Sequence, residues 1–276
     1  MEIIKSEADV ETYIKEQKIL NKEICLIPTM GSLHNGHLEL IKKAPTESSK
    51  IVSIYINDLQ FDDKNDYINY PKNTNKDIDL CNKNNVDLVF IPNKEFLMNL
   101  IDETTVDLPK FTRYMCGATR HGHFLGVYKI IKVLLSIFNP EYACFGKKDY
   151  QQLLLIKYLV KTHFQNLKII DVDIIRNNNN IALSSRLIRL SKTSFTKAKL
   201  IYENLLKSKI NLLKGDNFTV VKNNLIDKLN NNGIQVEYME LRSLDTLEES
   251  KNSLNKSGIF IACYVDDVRL IDNIEI

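Results

Sequence analysis

Short apolar runs alternate with helix-periodic stretches through the first two thirds of the chain. The runs are rich in β-branched residues and predict five strands, at residues 24–29, 51–57, 86–91, 141–145 and 167–174. The stretches between them predict helices at residues 36–44, 73–84, 123–138 and 149–163. This alternation predicts a Rossmann-like α/β fold, in which helices cover both faces of a parallel sheet. In such sheets ligands bind beyond the carboxyl ends of the strands.

The pattern changes after residue 185. Two helical stretches, at 194–206 and 217–230, precede strand-like runs at 235–241, 258–264 and 268–271. Just before this change, the four consecutive asparagines at 177–180 predict a polar hinge or turn. We therefore expect a Rossmann-like domain over residues 1–180 and a smaller α+β lid domain over residues 181–276.

Composition narrows the possible partners and surroundings. The 276 residues are 44% hydrophobic and 26% charged, and the formal net charge is +2. That charge is too small to indicate nucleic acid or a membrane surface as a partner. No apolar run is long enough for a transmembrane helix, and the N-terminus lacks the layout of a signal peptide. The five cysteines form no CxxC pair, which predicts free thiols in a reducing cytoplasm and no cysteine metal site.

Residues 28–37, with the sequence PTMGSLHNGH, join a predicted strand to a predicted helix. A helix N-terminus binds phosphates because its backbone N–H groups lack helical partners and its dipole end is positive. His34 and His37 lie three residues apart in this turn, where imidazole N–H groups could donate to phosphate oxygens. Taken alone, the pair also fits solvated surface histidines and, more weakly, a zinc site without evident further ligands.

A second turn, residues 145–152 with the sequence FGKKDYQQ, also joins a predicted strand to a predicted helix. Gly146 allows a ligand to approach the backbone closely, and Lys148 is a point charge suited to phosphate. Asp149 could accept hydrogen bonds from two ribose hydroxyls. A charged helix start is the ordinary explanation of such a turn, but its place after the fourth strand, together with the other motifs, favours a nucleotide site.

These segments together resemble a known family. A strand followed by PTMG and HxGH resembles the nucleotidyltransferase superfamily, and residues 28–37 as a whole resemble the pantothenate synthetases, or pantoate–β-alanine ligases. Residues 145–152 resemble that family's FGEKDxQQ, and residues 181–186 (IALSSR) its Ala-Met/Leu-Ser-Ser-Arg loop. Residues 53–61 (SIYINDLQF) and 117–124 (GATRHGHF) resemble two further segments, the second a basic loop ahead of a helix. The resemblance extends from residue 24 to residue 274.

The chain departs from the family pattern at four places. Asp58 stands where the family has Pro, Lys72 where it has Arg, and Lys147 where it has Glu. The asparagines at 177–180 replace a segment that in the family carries an acidic residue and a Gly. We expect these changes to alter loop geometry, and we do not place Lys72 in the site because Lys lacks the planar fork of Arg.

The resemblance implies three overlapping sets of site residues. The catalytic set, which would handle phosphate charge, is His34, His37, Lys148, Ser184, Ser185 and Arg186. The ATP-binding set is Pro28, Thr29, Met30, Gly31, His34, Gly36, His37, Gly146, Lys147, Lys148, Asp149, Leu183, Ser184, Ser185 and Arg186. The pantoate-binding set is Met30, Asn57, Gln60, Arg120 and Gln152. No residue is expected to bind a metal directly.

The resemblance also implies a function. The chain would be a ligase of pantothenate biosynthesis, the pathway to coenzyme A. It would condense pantoate with β-alanine through a pantoyl-adenylate, consuming ATP and releasing AMP and pyrophosphate. Mg²⁺ would bind through the ATP phosphates. The enzyme would be a cytoplasmic homodimer that acts on small molecules, with no nucleic acid or membrane as a partner.

Three other functions stay open at the level of sequence. Residues 28–37 alone also fit a nucleotidyltransferase that moves AMP or CMP onto a phosphate, and only Gln60 and Gln152 argue against it. The departures from the family pattern leave room for a nucleotide-binding module without catalysis. A metal-binding protein is the weakest alternative and would use His34, His37, His121 and His123.

Overall fold

The structure, a computed structural model, describes residues 1–102, 104–250 and 256–276. Its strands are β1 (Glu2–Ile4), β2 (Ile24–Thr29), β3 (Ser49–Ile54), β4 (Leu88–Phe90), β5 (Tyr142–Gly146), β6 (Lys168–Val172), β7 (Ile234–Ser243), β8 (Ser257–Val265) and β9 (Val268–Glu275). Its helices are α1 (Glu7–Ile19), α2 (Asn35–Lys43), α3 (Lys64–Ile68), α4 (Thr74–Lys83), α5 (Lys94–Asn99), α6 (Cys116–Thr119), α7 (His123–Phe138), α8 (Tyr150–His163), α9 (Lys192–Leu213) and α10 (Phe218–Asn230).

Strands β1 to β6 form one parallel sheet in the order β1-β4-β3-β2-β5-β6. The predicted Rossmann-like α/β fold is therefore confirmed. Pro28 pairs with Ser53 and Thr29 with Ile54, so β2 and β3 end side by side. Strand β5 lies on the other side of β2. The segments that follow these three strands leave the same end of the sheet, where parallel sheets bind their ligands.

Helices cover the sheet on both faces. On one face, Leu40 and Ile41 of α2 and Cys81 of α4 share a buried cluster with Ile27 and Val52 of the sheet. The long apolar helix α7 packs against β2 from the other side. Because these helices bury both faces of the sheet, polar side chains that could bind a ligand lie in the loops at its end.

The two N-terminal elements β1 and α1 are not predicted by the sequence. β1 has only 3 residues, and only its parallel pairing with β4 in the folded sheet identifies it as a strand. α1 buries only Val10, Tyr13 and Gln17 of its 13 residues, which leaves a weak apolar period. The sheet consequently has six strands where the apolar runs predict five.

The C-terminal part forms a smaller α+β structure, as predicted. Strands β7, β8 and β9 make an antiparallel sheet in that order. Leu205 of α9 and Leu229 of α10 pack into one buried cluster with Ile261 of β8. The helix α9 ends at Leu213 and β9 at Glu275, so both extend past their predicted ends.

The described chain divides into two compact units. The first unit comprises Met1–Pro109, Arg120–Lys147 and Gln152–Asp173. The second comprises Lys110–Thr119, Lys148–Gln151 and Ile174–Ile276. The chain therefore passes between the units several times, and the domain limits expected from the sequence stay a prediction.

Two further expectations can be compared with the described residues. None of their helices combines the length and the apolarity needed to cross a membrane. The five cysteines are all free and buried, as expected of thiols that pack as small hydrophobes. Burial raises the pKa of the Cys81 thiol to about 12, with the charge of Asp77 as a smaller cause.

Candidate active site

The loop after β2 in the first unit is held in an unusual backbone conformation. Gly31 has a φ of 75° and Ser32 a φ of 49°, so two successive residues are left-handed. A Cβ on Gly31 would lie 3.0 Å from both Asp77 Oδ2 and Ile54 Cγ2. Glycine is therefore required at this position for its backbone freedom and for its lack of a side chain.

Asp77 of α4 fixes this loop. Its carboxylate accepts hydrogen bonds from the Ser32 amide (2.8 Å) and the Leu33 amide (2.7 Å). The side chain is buried, and a buried carboxylate needs such donors because desolvation would otherwise be costly. Asp77 is absent from the residues expected from the sequence, because helical periodicity marks only Ile78 and Cys81 on this helix.

His34 and His37 cap the N-terminus of α2 reciprocally. The Gly36 amide donates to His34 Nδ1 (3.1 Å), and the His34 amide donates to His37 Nδ1 (3.2 Å). The two ring centroids are 4.1 Å apart. A ring nitrogen that accepts a backbone N–H carries no proton, so each imidazole is neutral and bears its proton on Nε2. Both histidines thus present Nε2–H donors at a helix N-terminus, an arrangement that suits an anion such as phosphate.

Three residues of the expected pantoate set meet in the first unit. The Asn57 Nδ2 group donates to Gln60 Oε1 (3.1 Å) and to the Gly126 carbonyl (3.0 Å). Gln60 Nε2 lies 3.1 Å from Met30 Sδ. Asn57 is buried and also accepts from the Leu59 amide, so its amide orientation is fixed. The Gln60 side chain is thereby directed to the loop that carries His34.

The side chains of Arg120 and His123 both hydrogen-bond to the backbone carbonyl of Gln60. The Gln60 carbonyl accepts from His123 Nδ1 (2.8 Å) and from Arg120 Nη2 (3.2 Å). Since His123 Nδ1 is the donor, its Nε2 accepts from Arg120 Nη1 at 3.1 Å. Arg120 Nε donates to Asp62 at 3.1 Å. Arg120 belongs to the set expected from the sequence, whereas the roles of Asp62 and His123 depend on contacts between distant segments.

The remaining expected residues of the first unit lie near β5. A Cβ on Gly146 would meet no atom within 4 Å, so protein packing does not require glycine there and leaves room for a ligand. Lys147 Nζ pairs with Asp173 at 2.7 Å. Gln152 is half-buried near the start of α8. The contacts described above do not join Gln152 to Gln60.

The second unit contains the other residues that the sequence leads us to expect at phosphate. Lys148 Nζ lies 3.9 Å from Asp149 Oδ2, in the turn that precedes α8. Ser184 caps the 3-10 helix Ser185–Arg189 by accepting a hydrogen bond from the Arg186 amide at 3.3 Å. This cap sets the backbone of the Ser-Ser-Arg segment expected to bind phosphate.

The four asparagines at 177–180 form a tight turn. The Asn177 amide donates to the Ile181 carbonyl (3.0 Å), and Asn177 Oδ1 accepts from the Asn179 and Ile181 amides. Asn180 takes the left-handed conformation with a φ of 59°. Asparagine tolerates that conformation, so the turn forms without the family's glycine.

Comparison with known proteins decides the family. The family model described as Pantoate-beta-alanine ligase matches residues 2–275. The chain belongs to the pantoate-beta-alanine ligase family. A pantothenate synthetase from Wigglesworthia glossinidia brevipalpis is 39% identical over 100% of this chain and 99% of its own length. One from Leptospira interrogans is 36% identical over 99% of this chain and 98% of its own length.

Solved structures of the family share the fold. Pantothenate synthetase from Thermus thermophilus superposes with a TM-score of 0.89 at 29% identity, covering 100% of this chain and 99% of that one. Pantoate-beta-alanine ligase from Francisella tularensis, complexed with beta-gamma ATP and beta-alanine, superposes with a TM-score of 0.83 at 34% identity. The match covers 100% of this chain and 97% of that one. The family and the ligase function expected from the sequence are therefore confirmed, whereas the roles of individual residues stay predictions.

Two departures from the pantoate-beta-alanine ligase pattern have a structural explanation. Asp58 Oδ2 pairs with Lys94 Nζ at 2.5 Å, which directs the carboxylate to a cation. Burial, and to a smaller extent the charge of Asp58, raises the pKa of Tyr55 to about 12, so this phenol is neutral at physiological pH. Lys72 Nζ lies 5.5 Å above the Tyr67 ring, in a cation–π contact.

Proposed function

We propose that this chain condenses pantoate with β-alanine at the expense of ATP, through a pantoyl-adenylate, and releases AMP and pyrophosphate. The observation that carries the proposal is the contact between Gln60 Nε2 and Met30 Sδ at 3.1 Å. It joins the amide side chains suited to a hydroxy acid with the histidine-capped turn suited to phosphate. The complex of the Francisella tularensis relative with beta-gamma ATP and beta-alanine supports ATP and β-alanine as two of these substrates.

In the first step the pantoate carboxylate attacks the α-phosphorus of ATP. A carboxylate is already ionised at neutral pH, so no general base is required. Gln60 and Asn57 would orient pantoate, together with Met30, Arg120 and Gln152. The Nε2–H groups of His34 and His37 would donate to phosphate oxygens, where charge increases as pyrophosphate departs.

The second unit would contribute cationic and hydroxyl groups. We assign Lys148 and Arg186 to phosphate charge, and Ser184 and Ser185 to phosphate oxygens, because charge-assisted bonds are the strongest available there. Asp149 would accept from the ribose hydroxyls. Pro28, Thr29, Gly31, Gly36, Gly146, Lys147 and Leu183 would complete the surroundings of ATP.

In the second step the β-alanine amine attacks the acyl carbon of the adenylate. A C–N bond forms, the bond from that carbon to the phosphate oxygen breaks, and AMP leaves. The amine proton is released to solvent. Holding both reactants in place supplies most of the rate in such a step.

Mg²⁺ would accompany ATP. The described residues contain no group of three or more His, Cys, Asp or Glu arranged to hold a metal ion. The oxygen ligands that Mg²⁺ prefers would come mainly from ATP phosphates and water, and the bound ion would neutralise phosphate charge. We further propose a cytoplasmic homodimer with domains at residues 1–180 and 181–276.

An AMP-release assay with pantoate, β-alanine and ATP, omitting each in turn, tests the function. The proposal requires pyrophosphate exchange that depends on pantoate, and AMP and pantothenate formation that depends on all three substrates. Pyrophosphate release that needs a phosphate acceptor in place of pantoate would show a nucleotidyltransferase. ATP binding without turnover of pantoate would show a non-catalytic module.

The role of Lys148 has its own test. Lys148→Ala should lower pantoate-dependent pyrophosphate exchange by about 10²–10³-fold while the protein still folds, because one charge-stabilising donor is lost. Lys157→Ala on α8 removes an exposed cation that pairs with Asp171 and is the matched control. Near-full exchange in Lys148→Ala would contradict the assignment.

A further inference from the structure

Two consecutive buried polar residues lie near the end of β9. Asp272 and Asn273 are each 6% exposed, in a strand that is otherwise largely apolar at its buried positions. Successive residues of a strand point to opposite faces, so the two side chains reach different partners. Burying both is unfavourable unless each is hydrogen-bonded.

Asp272 holds the hairpin that leads into the Ser184 segment. Its carboxylate accepts from Arg176 Nη1 (2.7 Å) and Nη2 (2.8 Å), a bidentate pair. The same guanidinium donates to the Asn180 carbonyl (3.1 Å) and lies 3.5 Å above the Tyr202 ring. Arg176 therefore fastens the asparagine turn to the small antiparallel sheet.

The hairpin connects the anchored Arg176 to residues 184–186, the segment proposed to bind phosphate. Arg176 forms a β-bridge with Ala182, and the Leu183 amide donates to the Ile175 carbonyl at 2.9 Å. Ser184 follows directly and caps the next turn. Fixing Arg176 therefore fixes the backbone that enters the Ser-Ser-Arg segment.

Asn273 holds the other phosphate-binding turn. Its Nδ2 donates to the Lys148 carbonyl at 3.1 Å. Tyr150, two residues further on, donates its hydroxyl to the Leu244 carbonyl at 3.1 Å. Burial raises the pKa of Asp272, whereas the bonds from Arg176, the Asn273 amide and, least of all, the charge of Lys148 oppose that rise.

We propose that Asp272 and Asn273 are positioning residues that hold the Lys148 turn and the 176–186 hairpin in one body. The proposal rests on the proposed function, since it assumes that Lys148 and the Ser184–Arg186 segment act together on ATP phosphates. Their common membership of the second unit agrees with it. A displacement of about 1 Å at such groups lowers the rate by about 10²-fold, so a positioning pair has a kinetic signature.

The test uses the full chain and the isosteric variant Asn273→Asp. A carboxylate cannot donate to the Lys148 carbonyl, so kcat for pantoate-dependent pyrophosphate exchange should fall by about 10–10²-fold. The pantoate KM should change by less than about twofold, because Gln60 and Asn57 belong to the first unit. Asn273→Ala removes the donor without adding charge, and it should likewise lower kcat while leaving the pantoate KM nearly unchanged.

Asp272→Asn and Arg176→Lys test the other contact and should also lower kcat, since each removes the bidentate pair. Asp245→Asn in the same unit is the control, because its partner Lys256 is 72% exposed and the pair lies 3.6 Å apart. Hydrogen exchange is measured over residues 147–151 and 175–186. The proposal requires faster exchange over 147–151 in the Asn273 variants and over 175–186 in the Asp272 and Arg176 variants.

The outcomes separate this proposal from the proposed function. If the wild-type chain shows no pantoate-dependent exchange, the proposed function fails, and faster hydrogen exchange still supports the anchoring itself. If the folded Asn273 variants keep wild-type kcat and wild-type hydrogen exchange, the positioning role is overturned. A lower melting temperature with unchanged kcat in the folded protein would likewise overturn it, because that is the result of a structural role alone.

Discussion

The backbone of Leu59 lies against Gly126 of α7, so closely that a Cβ on Gly126 would be 2.3 Å from the Leu59 carbonyl oxygen. The Gly126 carbonyl also accepts from Asn57 Nδ2 at 3.0 Å. The turn that carries Asn57 and Gln60 is therefore seated on α7 by backbone contact. A side chain between them would move the turn as a whole.

Gly126→Ala should consequently displace the turn that carries Asn57 and Gln60. Overpacking costs about 1–3 kcal/mol of stability, and the pantoate KM should rise by about tenfold or more as Gln60 moves. Chemical denaturation and steady-state kinetics measure the two effects. Gly146→Ala is the stability control, since its Cβ would meet no atom within 4 Å. Wild-type stability and pantoate KM in Gly126→Ala would contradict the close contact.

The histidine cap allows structure and catalysis to be separated at one position. Asn is a favoured helix N-cap, so His34→Asn should keep α2 capped, whereas His34→Ala loses about 1 kcal/mol. Both variants lack the Nε2–H donor and should lose about 10²–10³-fold in pyrophosphate exchange. His121→Ala, at an exposed histidine, should leave both stability and exchange unchanged. If His34→Asn retains activity, His34 acts as a cap alone.

Asp77→Asn should weaken the loop that contains Gly31. The new amide places an N–H group against one of the two backbone donors, Ser32 or Leu33, and an unsatisfied buried donor costs about 1–3 kcal/mol. Thermal unfolding should occur at lower temperature, and pyrophosphate exchange should fall because the His34 turn follows this loop. Asp79→Asn, exposed on the same helix, is the matched control. Equal effects of the two substitutions on unfolding temperature and exchange would show that Asp77 does not hold this loop.

The ion pair between Asp58 and Lys94 should be needed for pantoate binding only because Asp58, a charged residue, replaces the family's proline. Asp58 Oδ1 is buried without a hydrogen-bond partner among the described residues, so Lys94 supplies its compensation. Lys94→Ala should raise the pantoate KM by about threefold through repulsion between two anions, and salt should reduce the effect. The double variant with Asp58→Pro should restore the KM, and a purely additive double variant would contradict the coupling.

The sequence predicts the elements whose apolar pattern is strong. Helix α7 spans His123–Phe138 as predicted, because it is apolar along its length and ends before Pro140. β1 is too short to predict, and its pairing with β4 exists only in the folded sheet. Local pattern therefore determines the central elements, while edge elements depend on partners distant in the sequence.

The residues of the candidate site likewise fall into those that the sequence identifies and those that only the folded structure reveals. His34, Gln60 and Lys148 occur in motifs, so the sequence identifies them directly. Asp77 and His123 do not, because each acts on a backbone group more than forty residues away, as the bonds from Leu33 to Asp77 and from His123 to Gln60 show. The motifs thus contain the groups that we propose to meet substrate, whereas the groups that hold them in place are determined by tertiary contacts.

The bond between Asn273 and the Lys148 carbonyl also bears on how the protein forms. It joins residues 125 positions apart, and contacts of such separation form late because a long loop must first be closed. During synthesis, the residues of β1 to β6 emerge before those of β9. The Lys148 turn is therefore synthesised long before Asn273, and the bond that we propose to position it forms only once the last strand is in place.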